Sequence, residues 1–119
     1  MKKTLTDLLL VTQKRKEKYF KDWQRYGLEI KKYAQEILKD AKVYIFGSII
    51  DGTYNPSSDI DVLIVSKSLP KDEEKRREIK IKIKSKIDPF SPFQLHLATP
   101  EEFENWYLRF IKNNFVEIR

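Results

Sequence analysis

"IFGSIIDGTYNPSSDIDVLIV", residues 45–65, decides how the rest of the chain is read. An apolar run breaks at Gly47-Ser48, crosses a polar turn containing Gly52, and resumes as a β-branched strand that opens on Asp59-Ile60-Asp61. Residues two apart on a strand project from one face, so the two carboxylates share a face with their backbones roughly 6.5–7 Å apart. Such a pair on a rigid strand suits Mg²⁺, a hard cation that takes its other ligands from water and substrate phosphates. With two ions about 3.5–4 Å apart, the same pair would serve an attacking oxygen and a leaving pyrophosphate. Gly47 lets backbone approach a ligand closely, and Ser48 offers a hydroxyl and an N–H at a predicted helix start, which favours phosphate oxygens. One element would hold phosphates and the other metal. Taken alone, each half has a plainer reading: Asp-x-Asp at a strand start is also a capping or turn feature, and a Gly-Ser pair is weaker still.

Working outward, "VYIFG" (43–47), "DIDVLIVS" (59–66) and "PFQLHLA" (92–98) read as three short buried strands. Residues 5–39 read as helix. Leu5, Leu8 and Leu9 form one apolar cluster, and a longer stripe runs from Tyr19 and Phe20 through Trp23, Tyr26 and Ile30 to Leu38 at three- and four-residue spacing, with Gly27 a candidate kink. That aromatic stripe suits a core or a dimer seam, with nucleic-acid stacking as the other reading. The segment after Pro70 opens with acids, a helix start, but its tail alternates Ile and Lys from Ile79 to Ile87, so strand and helix periods compete; helix is preferred, with Ile81 at the edge of the stripe. Thr99, Pro100 and Glu102 spell a capping box ahead of an apolar face of Phe103, Trp106, Tyr107, Phe110 and Ile111. The predicted order is α-β-β-α-β-α, with a short last strand left open in "FVEIR". That is an α+β fold: a small sheet packed with helices and a long N-terminal helix.

The chain has 119 residues, 40% hydrophobic and 35% charged, which predicts one domain over residues 1–119 and argues against disorder. Within it, the N-terminal helical region takes residues 5–39 and the core residues 41–113. With no cysteine, disulfides and thiolate metal sites are excluded. No apolar run approaches the ~20 residues of a membrane span and no signal-peptide pattern opens the chain, so the expected location is cytoplasmic. The abundance of Lys, Glu and Ile leans towards a thermophilic source. The net charge is +6, gathered in "KRKEK" (14–18) and "KRREIKIKIKSK" (75–86). These runs are either solvated helix faces or a footprint for an anionic partner.

The joint spacing (Gly47-Ser48, ten residues, then Asp59-Ile60-Asp61, with strands on both sides) resembles the nucleotidyltransferase signature of the DNA polymerase β superfamily in its minimal form. The resemblance covers residues 41–100, and Gly52 and Ser58 also match family positions. It implies a nucleotidyltransferase-like mixed sheet in which Gly47 and Ser48 bind the triphosphate and Asp59 and Asp61 bind Mg²⁺, one ion or two, with Mn²⁺ able to substitute. Two positions depart from the family. Its third acid, on a neighbouring strand, has no counterpart in "FQLHLATP"; His96, the chain's single histidine, takes that place with Gln94 on the same face. His96 is a candidate base or metal ligand, or a hydrogen-bonded histidine at a strand edge. Asp51 stands where many minimal relatives carry Arg.

Proteins of this minimal type are similar to the small partner in prokaryotic two-component modules with a HEPN-domain protein. The resemblance implies an antitoxin that transfers AMP from ATP, or another NTP, to a hydroxyl, with Asp59, Asp61 and His96 catalytic. The implied partner is a HEPN-domain protein; a homodimer is left open, and no membrane partner is expected. Two other readings stand beside it: an interaction module that kept the fold without turnover, and a basic nucleic-acid-binding domain, which lacks any recognisable reading motif.

Overall fold

The computed structural model describes residues 4–55 and 57–119. The elements are α1 (Leu5–Lys21), α2 (Trp23–Ile37), β1 (Lys42–Phe46), α3 (Ser48–Asp51), β2 (Ile60–Val65), α4 (Glu73–Ile87), β3 (Phe93–Ala98) and α5 (Pro100–Glu102). A π-helical turn (Phe103–Tyr107), α6 (Leu108–Ile111) and β4 (Phe115–Ile118) complete them. The fold is mixed α+β, as expected. The four strands form one sheet in the order β3-β2-β1-β4, with β2 and β3 parallel and the other pairs antiparallel.

β2, "IDVLIV", is central and buried on both faces beyond Asp61, which is why it reads as an unbroken apolar run. On one face Val43, Ile45, Val62, Ile64 and Phe93 pack against Ile30 and Ala34 of α2, Ile83 of α4, and Tyr19 and Phe20 of α1. Each Val, Ile or Phe among them, when fully buried, contributes about 1.5–3 kcal/mol relative to exposure. On the other face Tyr44, Leu63, Val65 and Ala98 meet Phe103, Tyr107 and Phe115. That second layer stops short of the start of β2, leaving Asp61 half-exposed.

The N-terminal helical region breaks at Asp22 rather than at Gly27. Gly27 is buried, and a methyl group there would stand 2.9 Å from Ile118 Cδ1, so glycine serves the close approach of α2 to β4. The Ile/Lys alternation of α4 is resolved as helix: Ile83 is buried, Ile79 and Ile87 pack at the core margin, and Ile81 is 61% exposed. Asp72 caps that helix through Glu74 N. The capping box at Thr99 is present, but the turn after it widens into π geometry. Phe103, Tyr107 and Ile111 then face the protein while Trp106 and Phe110 are exposed, so the apolar face read from the sequence is split. The short last strand exists as β4.

Candidate active site

Phe46 pairs with Asp61 across β1 and β2, which carries Gly47 past the end of β1 directly beside the Asp61 side chain. Gly47 has φ 87° and ψ −152°, and a methyl group in place of its hydrogen would sit 2.6 Å from Asp61 Oδ2. The chain then turns at once into α3, with Ser48 its first residue. Gly52 closes this single turn in the left-handed conformation at φ 82°, and the N–H groups of Gly52 and Thr53 both donate to the Ser48 carbonyl.

Asp51 is engaged inside the turn. Its Oδ1 accepts from the Thr53 hydroxyl at 2.5 Å and the Thr53 N–H at 2.9 Å, and its Oδ2 from Asn114 Nδ2 at 3.3 Å. These bonds, the Thr53 hydroxyl first, hold its carboxyl below the usual aspartate range. Asn114, just before the last strand, also donates to the Gly47 carbonyl at 3.2 Å. It ties the turn to β4 from 67 residues away, and no local sequence signal marks it.

The loop leading to the aspartates is closed by its own polar groups. Asn55 N–H donates to Ser58 Oγ, Ser57 N–H to Asn55 Oδ1, and Ser58 N–H to the Asn55 carbonyl. Tyr54 stacks on Phe20 of α1 at 5.1 Å between ring centroids, which gives one member of the aromatic stripe a role in anchoring this loop.

Asp59 lies just before β2, exposed and without a hydrogen bond or ion pair among the described residues. Asp61 is half-buried and its Oδ1 lies 3.3 Å from His96 Nε2. Across the parallel pair Asp61 is registered with Gln94 and Leu63 with His96, so the histidine reaches back by one residue pair to the carboxylate. Phe46 and Tyr107 flank its ring at 5.4 and 6.2 Å. Burial raises the Tyr107 hydroxyl above the usual tyrosine range.

Asp61 is therefore the hub, with Gly47 against one carboxylate oxygen and His96 against the other. Ser48 follows Gly47 on the turn, and Asp59 stands two residues ahead on the approach to β2. Among the described residues no group of three or more His, Cys, Asp or Glu is gathered closely enough to cage a metal. A cation held at Asp61 would have to complete its shell with water and substrate oxygens, and the glycine at position 47 keeps the space beside Asp61 Oδ2 free of side chain.

A central mixed sheet carrying a Gly-Ser turn against an Asp-x-Asp strand defines a nucleotidyltransferase domain, and the chain belongs to that family. The family match spans residues 28–118. A protein of Methanocaldococcus jannaschii assigned as a candidate protein adenylyltransferase is 47% identical over 55 residues, covering 44% of this chain and 56% of that protein. The aligned part thus spans little more than half of the relative's length. A crystal structure of a candidate nucleotidyltransferase superposes with a TM-score of 0.64 at 34% identity, covering 79% of this chain and 98% of the other. A second, from Sulfolobus solfataricus, shares the fold at a TM-score of 0.59 and 21% identity, over 98% of this chain and 89% of its own. No helix among the described residues is long and apolar enough to cross a membrane.

Proposed function

We propose that the chain transfers a nucleoside monophosphate, AMP from ATP, to a hydroxyl acceptor, with Asp59 and Asp61 holding Mg²⁺ and Gly47 and Ser48 holding the triphosphate. The observation that carries this reading is the contact between Gly47 and Asp61, because it joins the phosphate half of the motif to the metal half. Bound there, the cation would neutralise phosphate charge and polarise the α-phosphoryl group. The acceptor oxygen forms a bond to the α-phosphorus, the bond from that phosphorus to the α–β bridging oxygen breaks, pyrophosphate leaves, and the hydroxyl proton passes to solvent water. His96 orients Asp61 through Nε2, which makes it a positioning residue.

The resemblance of the motif to small HEPN-partner antitoxins, with the candidate adenylyltransferase as relative, supports a tyrosine of a HEPN-domain protein as the acceptor. The test is incorporation of label from ATP labelled at the α-phosphate into such a partner. Transfer that collapses in Asp61→Asn supports the enzyme; transfer that survives it refutes this site.

A second reading, a non-catalytic antitoxin with the same fold, is favoured by two observations. No third carboxylate accompanies Asp59 and Asp61 among the described residues, and Asp51 is occupied within its turn. It predicts that Asp61→Asn leaves partner binding and neutralisation intact.

A further inference from the structure

A cleft of about 310 Å³ opens beside His96, lined from α4 by Arg76, Arg77 and Lys80 and from the C-terminal segment by Glu102 and Tyr107. Its cations have separate tasks. Arg76 is a clasp: its guanidinium donates to both Glu102 oxygens at 3.0 and 3.2 Å and its Nε to the Pro70 carbonyl at 2.6 Å, and its side chain is only 11% exposed. Arg77 and Lys80 have no ion pair or hydrogen bond among the described residues. Glu73 is the other acid of the wall, so three cations face two carboxylates.

A second hollow of about 580 Å³ shares Glu73, Arg76 and Glu102 with this cleft and adds Lys67 and Lys71, with Glu101 as a further acid. The site's geometry fixes which end meets the chemistry. Gly47 stands on the β1 side of Asp61, and His96, which forms the cleft wall, stands on the β3 side. Phosphates on the Gly47 turn and an occupant of the cleft would therefore approach Asp61 from opposite sides. The π-helical turn brings Tyr107 to the cleft as an aromatic wall, and widened turns of this kind recur at functional sites.

We propose that this groove binds the acceptor as an acidic peptide segment, its hydroxyl-bearing residue beside His96 and Tyr107 and its carboxylates on Arg77 and Lys80. The proposal rests on the transferase reading for what happens next, but binding itself does not. Two hollows that share the Arg76–Glu102 clasp suit a peptide segment lying across both better than a small molecule filling one. Acids interspersed among the cations suit spaced carboxylates better than a nucleic-acid backbone, which carries charge at every residue.

The test is fluorescence anisotropy, without nucleotide, using a labelled peptide with one tyrosine flanked by glutamates and a lysine-flanked counterpart. The acidic peptide is expected to bind at least about tenfold tighter, as charge-assisted contacts would give. Arg77→Glu/Lys80→Glu should abolish that preference, Arg77→Gln/Lys80→Gln should reduce it, and Lys14→Glu/Lys21→Glu on α1, with the same charge change, should retain it. Equal binding of the two peptides overturns the proposal. So does equal loss in the α1 variant, which would mean general attraction, or displacement of the peptide by a single-stranded oligonucleotide at lower concentration. ATP·Mg²⁺ titration of the same wild-type protein reports separately on the transferase reading, and its failure would leave the peptide result standing.

Discussion

Gly47 and Asp61 meet across the β1–β2 pair so closely that a methyl group at position 47 would stand 2.6 Å from the Asp61 carboxylate. The glycine is required twice, once for that space and once for its φ of 87°, where a side chain is strained wherever it points. Gly47→Ala is expected to lower unfolding free energy by roughly 1–3 kcal/mol and to weaken ATP binding more than the stability loss accounts for. Denaturant titration and calorimetry on the same variant check both parts.

Asn114 should behave as a remote member of the turn. It donates to the Gly47 carbonyl and to Asp51, so Asn114→Ala removes two bonds from the Gly47–Thr53 turn without touching Asp59 or Asp61. The expected cost is about 1 kcal/mol in stability, since the turn is solvent-exposed, with a several-fold rise in the Kd for ATP. An unchanged Kd would mean that the turn holds its shape without β4.

The clasp between Arg76 and Glu102 makes stability depend on acid. Arg76 holds the Glu102 carboxyl below its ordinary value of 4.5, so the pair contributes fully above that pH and its contribution is lost as pH falls through the lower folded value. Because the Glu102 side chain is 41% exposed, screening keeps the effect small. Thermal melts of wild type and Glu102→Gln should converge as the pH is lowered below 4.5 and separate above it.

Tyr19 gives the opposite sign at the alkaline end. Burial and the hydrogen bond from its hydroxyl to Asp88 Oδ2, 2.8 Å long, raise its pKa well above 10.0. The folded state therefore keeps a proton that the unfolded chain releases, and stability falls as pH rises from about 10 towards the folded value. Tyr19→Phe should lose about 0.5–1.5 kcal/mol at neutral pH and show a shallower alkaline decline.

His96 tests the departure from the family's third acid. If it orients Asp61, His96→Ala should lower kcat roughly 10–100-fold with little change in the KM for ATP, and His96→Gln, which keeps a donor, should recover part of it. A change confined to KM would place the residue in substrate binding.

The sequence made the sheet and the motif readable because both rest on short-range patterns. The buried strands are continuous apolar runs, and Asp61 lies on β2 as expected, whereas Asp59 lies one residue ahead of the strand. Capping chemistry announced the helix at Thr99 from three residues. What escaped was set by contacts distant in sequence or by helix phase. The role of Gly27 depends on Ile118, and that of Asp51 on Asn114. The π-helical turn rotated Trp106 and Phe110 outward from a face that regular helical spacing would bury. The basic run of residues 75–86 could not be divided by composition into a clasp at Arg76 and unpaired cations at Arg77 and Lys80, because that division depends on Glu102.

The most direct test of a nucleotide site at Asp59 and Asp61 is calorimetric titration of ATP into the protein with Mg²⁺, beside an Asp59→Asn/Asp61→Asn variant of unchanged melting behaviour. Metal-dependent binding in the wild type that disappears in the variant is the predicted result. Binding that persists in the variant, or its absence from the folded wild type, would contradict a nucleotide site at these aspartates.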